Sequence, residues 1–228
     1  MKKALITLIA VLLVMNSVHA NPRPTYNPIV EYLPVIVGVF TLGLGFLIYR
    51  SLSGKYKVEF TEEEINISVN EEGSVTVEGN YKFKRSGKGI KNYKIVYPFP
   101  TRKKFGEVQI LEVSINGRTA EYHTFEVKRS NQISLNLHFD ESDICNFKIK
   151  FIQNPINNEY KYILKTTKRW KKPLESTVIN LNLAENIKLE NSYYPLIQIK
   201  KDNAFSTFQF KEKEFYPYED FDFSWIYE

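Results

Sequence analysis

The 228-residue chain is long enough for one large domain or two small ones, and its 43% hydrophobic content excludes disorder throughout. The net charge of +5 does not indicate a nucleic-acid partner, because residues 1–50 hold four basic residues and one acid, which leaves the remainder nearly neutral. The single cysteine, Cys145, excludes an intrachain disulfide framework and any zinc site of several cysteines.

Residues 1–20 have the features of a secretory signal peptide. Lys2 and Lys3 precede an apolar stretch over residues 4–15, and Val18 and Ala20 stand at the small-residue positions before Asn21. The apolar stretch is too short to cross a bilayer comfortably. A short uncleaved anchor is the alternative interpretation.

A second apolar segment predicts a transmembrane helix over residues 29–50. Residues 33–49 are apolar or small throughout, which at about 1.5 Å per residue is near the lower limit for a ~30 Å hydrocarbon layer. Tyr32 and Tyr49 would lie at the two interfaces, where amphipathic rings are favoured. A buried core helix is the alternative.

The charges that flank this segment predict its orientation. Arg50, Lys55 and Lys57 follow it, whereas the preceding loop offers Arg23 against Glu31. The positive-inside rule therefore places residue 50 onward in the cytoplasm, in a single-pass protein or, with an uncleaved signal, a two-pass one. Residues 51–55 form a short flexible hinge.

From residue 56 onward the apolar period is two, which is typical of half-buried strands. We predict eight to ten short strands, a hairpin around the turn at 71–74, and a second hairpin at Asn116-Gly117 with Tyr122 on its return strand. The inward-facing positions are Ile65, Ile67, Val69, Val75, Val77, Tyr81, Phe83, Val113, Ile115, Ile133, Leu135, Leu137, Phe139, Phe147, Ile149, Phe151, Tyr160, Tyr162, Leu164, Ile179, Leu181, Leu183, Ile197, Ile199, Phe205, Phe208 and Phe210.

This pattern predicts a mainly β fold, an antiparallel β-sandwich over residues 56–228 that is immunoglobulin-like or related. The proline-rich stretch at 97–100 is a candidate break, since proline does not serve a central strand. One sandwich and two smaller sheets both remain open.

Several stretches resemble uncharacterised membrane-anchored β-sandwich proteins of bacteria and archaea, a family of unknown function. They are residues 65–69 with 73–77, the run Tyr97-Pro98-Phe99-Pro100, and Trp170 before Pro173, within a region of about residues 58–183. The resemblance implies a membrane-tethered domain on the extracytoplasmic side. Here the anchor precedes the domain, whereas in that class it follows.

Candidate chemistry is sparse. His138, Asp140, Asp143 and Cys145 are residue types that bind zinc, but their spacing matches no closed site, and a strand end with a turn is the favoured interpretation. His138 falls on the face opposite to the apolar alternation, so we expect it to meet solvent. His123 and Cys145 are the available base and nucleophile, yet nothing near Cys145 in the sequence would activate its thiol. The alternating strand beside Cys145 predicts that its side chain is buried. We predict no cofactor.

The basic stretch around Trp170 is the strongest local functional signal. An indole among five cations is suited to a membrane surface or a protein partner. The alternative is a solvated hairpin whose indole packs on the sandwich under lysine stems. The residues are Lys165, Lys168, Arg169, Trp170, Lys171 and Lys172.

The acidic, aromatic tail alternates at Phe221, Phe223 and Trp225, which predicts a final edge strand. An extended segment lying over the core and a partner-binding tail are the alternatives.

The whole sequence predicts a membrane-anchored, non-enzymatic binding or structural domain whose partners are the lipid bilayer and an envelope or membrane protein, with no nucleic acid. A membrane-bound enzyme using carboxylates with His123 or His138, and an accessory subunit of an envelope complex, are the alternatives.

Overall fold

A computed structural model describes residues 57–87, 89–100, 102–127, 130–201 and 204–228. Within these residues the chain is mainly β, as the alternating pattern predicts. The strands are β1 (Lys57–Val69), β2 (Val75–Ser86), β3 (Asn92–Pro98), β4 (Gln109–Ile115), β5 (Arg118–Thr119), β6 (His123–Val127), β7 (Ser130–His138), β8 (Ile144–Gln153), β9 (Glu159–Tyr162), β10 (Leu174–Ala184), β11 (Ile187–Ser192), β12 (Ile197–Lys201), β13 (Phe205–Phe215) and β14 (Phe221–Tyr227). A four-residue helix α1 spans Arg102–Phe105, and a 3-10 helix spans Lys165–Trp170.

These strands form three open sheets. The largest has the order β12-β13-β10-β1-β2-β8-β4-β5, and the two three-stranded sheets have the orders β11-β14-β9 and β3-β7-β6. The wholly antiparallel arrangement predicted from sequence is wrong at one place, because β1 pairs with β10 in parallel. A parallel pair needs a long crossover, and more than a hundred residues lie between these two strands.

Both predicted hairpins form. β1 and β2 pair in antiparallel fashion, and the turn between them is closed by Asn70, whose side-chain oxygen accepts the N–H groups of Glu72 and Ser74. At the second turn Asn116 and Gly117 have φ values of 51° and 77°, the left-handed geometry of a type I′ turn. The return strand β5 is only two residues long, so the prediction that Tyr122 lies on it is wrong.

The core lies on the inward faces of these strands, where the period of two buries alternate side chains. Most predicted core positions are buried. Exceptions are Ile197, Ile199 and Phe205, which are 71%, 53% and 44% exposed. Ile197 and Ile199 lie on β12, the outermost strand, which pairs only with β13 among the described strands, and Phe205 is the first residue of β13.

The tail forms a strand with Phe221, Phe223 and Trp225 buried, as the alternation predicts. It is not an edge strand, however, because β14 pairs with β11 on one side and β9 on the other. The acids of the tail contact neighbouring elements: Asp222 forms an ion pair with Lys161 of β9 at 2.9 Å.

No helix among the described residues is long and apolar enough to cross a membrane. The predicted signal peptide, the predicted transmembrane helix over 29–50 and the hinge all lie outside the described residues.

Candidate binding groove

The basic stretch forms the 3-10 helix and the turn after it, rather than a hairpin. The carboxylate of Asp220 accepts the main-chain N–H groups of Leu164 and Lys165 at 3.0 and 2.9 Å, which fixes the start of the helix. Lys171 has a left-handed φ of 57°, and its N–H donates to the carbonyl of Lys168 at the end. The acidic tail thereby positions the basic stretch.

Three of the five cations in this stretch bind the protein itself. Lys165 pairs with Glu219, Lys168 Nζ donates to the carbonyl of Tyr218 at 3.1 Å, and Lys172 Nζ pairs with Glu59 Oε1 at 2.7 Å. Arg169 and Lys171 are exposed and form no ion pair with any described residue. Contact with a membrane surface or partner through this stretch stays a prediction.

Trp170 is half-buried and packs on the large sheet. Its ring centroid lies 6.1 Å from that of Phe60, 5.5 Å from that of Phe83 and 5.9 Å from that of Tyr93 on β3. The indole therefore joins two sheets through aromatic contacts, which agrees with the interpretation that it packs on the sandwich.

These contacts border an open groove of about 560 Å³. Its floor is the large sheet, with Phe60, Tyr81 and Phe83; one wall is the 3-10 helix with Trp170, and the other is β3. Aromatic and aliphatic residues together form most of the lining, which is the usual composition of a ligand-binding site.

The groove runs along the edge of β3. Six consecutive residues, 93–98, line it, and neighbours in a strand face opposite sides, so the lining includes the strand's backbone edge. β3 pairs only with β7 among the described strands. Its other edge is therefore open to the groove.

The register shows which main-chain groups point into the groove. Phe99 N–H donates to Asn131 and Phe139 N–H donates to Lys91, so the odd-numbered residues of β3 bond to β7. The N–H and C=O groups of Lys94 and Val96 consequently point away from β7. Pro98 stands at the next such position, where its missing N–H breaks no ladder bond.

Glu63 lies in the floor and is 4% exposed. Burial raises the pKa of its carboxyl to about 8, and a hydrogen bond from Thr177 Oγ1 at 3.3 Å only partly opposes this. At neutral pH Glu63 is mostly protonated, and it adds no negative charge to the floor.

Three tyrosine hydroxyls meet beside Glu63. Tyr81 Oη lies 2.9 Å from Tyr97 Oη and 2.5 Å from Tyr162 Oη, and Tyr97 donates to Tyr162 at 3.3 Å. Burial raises the pKa of all three phenols, that of Tyr97 to about 12. The hydroxyls satisfy one another and stay neutral, which makes this part of the floor rigid and uncharged.

The position of Tyr81 depends on Gly79, two residues earlier on β2. A Cβ at Gly79 would lie 2.2 Å from the Tyr81 hydroxyl, so the ring occupies the space that any other residue would need. A glycine inside a strand often marks such a close approach.

The structure separates the metal candidates suggested by the sequence. His138 is exposed and its Nδ1 lies 2.6 Å from Asn92 Oδ1, whereas Asp143 binds Arg85. Cys145 is fully buried, which raises the pKa of its thiol to about 11. No group of three metal-binding side chains occurs in the part of the chain that the structure describes.

His123 lies exposed on β6, in a different sheet from the buried Cys145 on β8. A thiol with a raised pKa, buried in apolar surroundings, is a poor nucleophile. The geometry therefore does not support covalent chemistry by this pair.

Sequence reasoning missed the groove and Glu63. A signal for Glu63 was present, since extending the alternation of Ile65 and Ile67 back by two residues places Glu63 on the inward face. The open edge of β3 had no comparable signal, because it depends on which strands pair across long separations.

No family model matches the chain, and no curated protein matches its sequence. Solved structures that match part of the chain include native leukotriene A4 hydrolase from Saccharomyces cerevisiae, with a TM-score of 0.47, 12% identity, and coverage of 74% of this chain and 29% of that one. Another is the M1 zinc metallopeptidase from Deinococcus radiodurans, with a TM-score of 0.44, 8% identity, and coverage of 73% and 42%. The chain spans less than half the length of these structures. Likeness at this level carries no argument about function.

Proposed function

We propose that this protein is a membrane-anchored, non-enzymatic binding domain and that the groove beside β3 is its binding site. The observation that carries the proposal is the open, aromatic groove of about 560 Å³ along an unpaired strand edge. Exposed strand edges are normally covered, shortened or charged, because they otherwise pair with other chains.

The lining supports binding rather than catalysis. Aromatic and aliphatic residues make up most of the lining, and the polar groups in the floor are neutral phenols and a mostly protonated carboxyl. Such a lining excludes water and orients a ligand, but it offers neither an activated nucleophile nor a charged base.

The membrane anchor is the second part of the proposal. The apolar segment over 29–50 would tether the domain, and the basic flank after it favours a cytoplasmic domain. The resemblance stated above favours the extracytoplasmic side instead. On either side, a tether raises the effective concentration of the groove toward a partner in the same membrane.

Site-specific photo-crosslinking of the full chain in intact cells tests this function. A photoreactive residue in place of Val96, which is 46% exposed at the groove, should give a discrete covalent adduct with its partner. The matched control carries the same residue in place of Ile156, which is 73% exposed and does not line the groove. Equal adducts at both positions, or none at position 96, would contradict the proposal.

A further inference from the structure

We infer that the groove accepts an extended acidic peptide segment of a partner protein, which adds as a strand to the open edge of β3. This inference rests on the proposed binding function and names the chemical class of its partner. Three features carry it: the unpaired main-chain groups of β3, the charges at the rim, and the apolar inner wall.

The unpaired N–H and C=O groups of β3 favour a ligand with a peptide backbone. The N–H and C=O groups of Lys94 and Val96 have no hydrogen-bond partner among the described residues and point into the groove. An added strand would satisfy these four groups, in the mode by which extended peptides augment sheet edges. Pro98 offers no N–H, so the pairing would end there.

The charges at the rim select acidic side chains. Lys94 lies on β3 and Arg169 on the 3-10 helix opposite, both are exposed, and neither forms an ion pair with a described residue. Glu63 is the acidic residue that lines the groove, and its buried carboxyl is mostly protonated at neutral pH. The groove is therefore positive at its rim and neutral in its floor, which complements an acidic partner.

The two faces of β3 specify an alternating pattern. Tyr93, Ile95 and Tyr97 face the large sheet, whereas Lys94 and Val96 face outward. A strand beside β3 follows the same alternation, so its inward side chains would meet Phe60, Phe83 and Trp170. The partner segment thus alternates apolar residues with Asp or Glu. An acyl chain would fill the apolar wall but would leave the main-chain groups unpaired.

The test uses the full chain in nanodiscs of neutral lipid and reads the fluorescence of Trp170. The protein has two tryptophans, and Trp225 is fully buried in another sheet, so a Trp225→Phe background leaves Trp170 as the reporter. The probes are two pools of seven-residue peptides, the length of β3. One alternates Glu with Phe, Leu, Val or Tyr, and the other carries Lys in place of Glu.

We expect the Glu pool to change Trp170 emission with saturation, and the Lys pool to bind at least about tenfold more weakly. Two further sets of Glu-pool peptides are N-methylated, one set at odd positions and the other at even positions. They distinguish backbone pairing from side-chain contact. One of the two sets should lose binding, because only alternate N–H groups face β3.

A matched pair of protein variants tests the edge itself. Val96→Pro removes an outward N–H without touching the ladder to β7, and Val96→Ala trims the side chain but keeps the N–H. Val96→Pro should weaken binding of the Glu pool about fivefold or more relative to Val96→Ala. The unfolding midpoints of both variants establish that the fold is retained.

Several results would overturn the inference. Failure of the Glu pool to bind, equal binding of both pools, or insensitivity to N-methylation would exclude strand addition by an acidic peptide. A change in Trp170 emission on adding phosphatidylglycerol would assign the groove to an anionic lipid, and concentration-dependent self-association lost in Val96→Pro would assign it to a second copy. In both cases binding at the groove would stand, whereas a negative crosslinking result at position 96 would reject the binding function itself.

Discussion

Glu63 is a carboxylic acid on a face of β1 that otherwise buries apolar side chains, including Phe60, Ile65 and Ile67. Its neighbours in the sheet are Thr177 on β10 and Tyr81 on β2, and the hydroxyls of Tyr97 and Tyr162 lie nearby. None of these groups is positively charged, so none of them compensates an ionised carboxylate there. Burial accordingly raises the pKa of Glu63 to about 8 from an ordinary value of 4.5.

This pKa predicts how stability depends on pH. A carboxyl whose pKa is higher in the folded state binds its proton more tightly there, so its contribution is complete below about pH 4.5 and is lost as pH rises toward 8. Urea unfolding between pH 5 and 8 should show that the free energy of unfolding of the wild type falls with rising pH relative to that of Glu63→Gln. We expect the difference, variant minus wild type, to increase by up to about 1.4 kcal/mol per pH unit.

Glu64→Gln is the matched control for this measurement. Glu64 is the next residue on β1 and is exposed, so its substitution should leave the pH dependence as in the wild type. If Glu63→Gln also follows the wild type at every pH, the carboxyl is not protonated in the folded protein. The triad of tyrosines and the neutral floor would then need another explanation.

The burial or exposure of single residues could be predicted where it follows from the alternation of inward and outward side chains along a strand. The position of Cys145, two residues before Phe147 on one alternating strand, indicates a buried thiol, and that prediction is confirmed. Outward phase likewise predicts an exposed His138, which is confirmed. The hydrogen bonds among Tyr81, Tyr97 and Tyr162 could not be predicted, since they join residues up to 81 positions apart.

Among the elements, the end of β2 is fixed by one buried arginine. The guanidinium of Arg85 donates to the carbonyls of Ile90, Phe139 and Asp140 at 2.6, 2.8 and 2.9 Å, and to Asp143 Oδ1 at 3.1 Å. It also lies 5.6 Å from the ring centroid of Phe139. One side chain thus fastens the segments after β2 and β7 to the large sheet.

Arg85→Met should therefore loosen these segments and lower stability. It leaves three carbonyl oxygens without their donor, and we expect a loss of about 3 kcal/mol in the free energy of unfolding. Hydrogen exchange should show the largest loss of protection in residues 139–145, with the strand pair β1 and β10 least affected.

Two further variants serve as comparisons for the loss of stability in Arg85→Met. Lys84→Met changes an exposed cation on the same strand and should alter stability little. Arg85→Lys keeps the charge but not the planar set of donors, so its stability should lie between those of Arg85→Met and the wild type. If Arg85→Lys and the wild type were equally stable, charge alone would hold the segments.

Most strands could be predicted at the scale of elements because their alternation is local, as in β1, β2, β7, β8 and β10. The parallel pairing of β1 with β10 could not, since it joins residues 114 apart, such as Glu62 and Ser176. β12 shows the converse, because its Ile197 and Ile199 alternate as core residues do, yet the strand lies at the rim of the sheet. The groove could not be predicted either, because it is formed by elements that only the long-range strand pairing brings together.

At the scale of the whole molecule, access of a partner to the groove depends on the side of the membrane on which the predicted anchor places residues 57–228. A partner segment reaches the edge of β3 only if it lies on the same side of the membrane as residues 57–228. Arg50, Lys55 and Lys57 favour the cytoplasmic side, and the family resemblance favours the opposite side. The side therefore decides which class of partner protein could supply an acidic segment.

Cysteine labelling can determine on which side of the membrane residues 57–228 lie, with little background from the native cysteine. Cys145 is the one cysteine in the sequence, it is fully buried, and the pKa of its thiol is raised to about 11, so it should not react with a membrane-impermeant maleimide at neutral pH. Ile156→Cys adds a thiol at a position that is 73% exposed. Because the basic flank follows the apolar segment, we expect this thiol to react only after the membrane is permeabilised, while the unsubstituted chain stays unlabelled throughout. Labelling in intact cells would place the groove outside and direct the search for its acidic partner to the envelope.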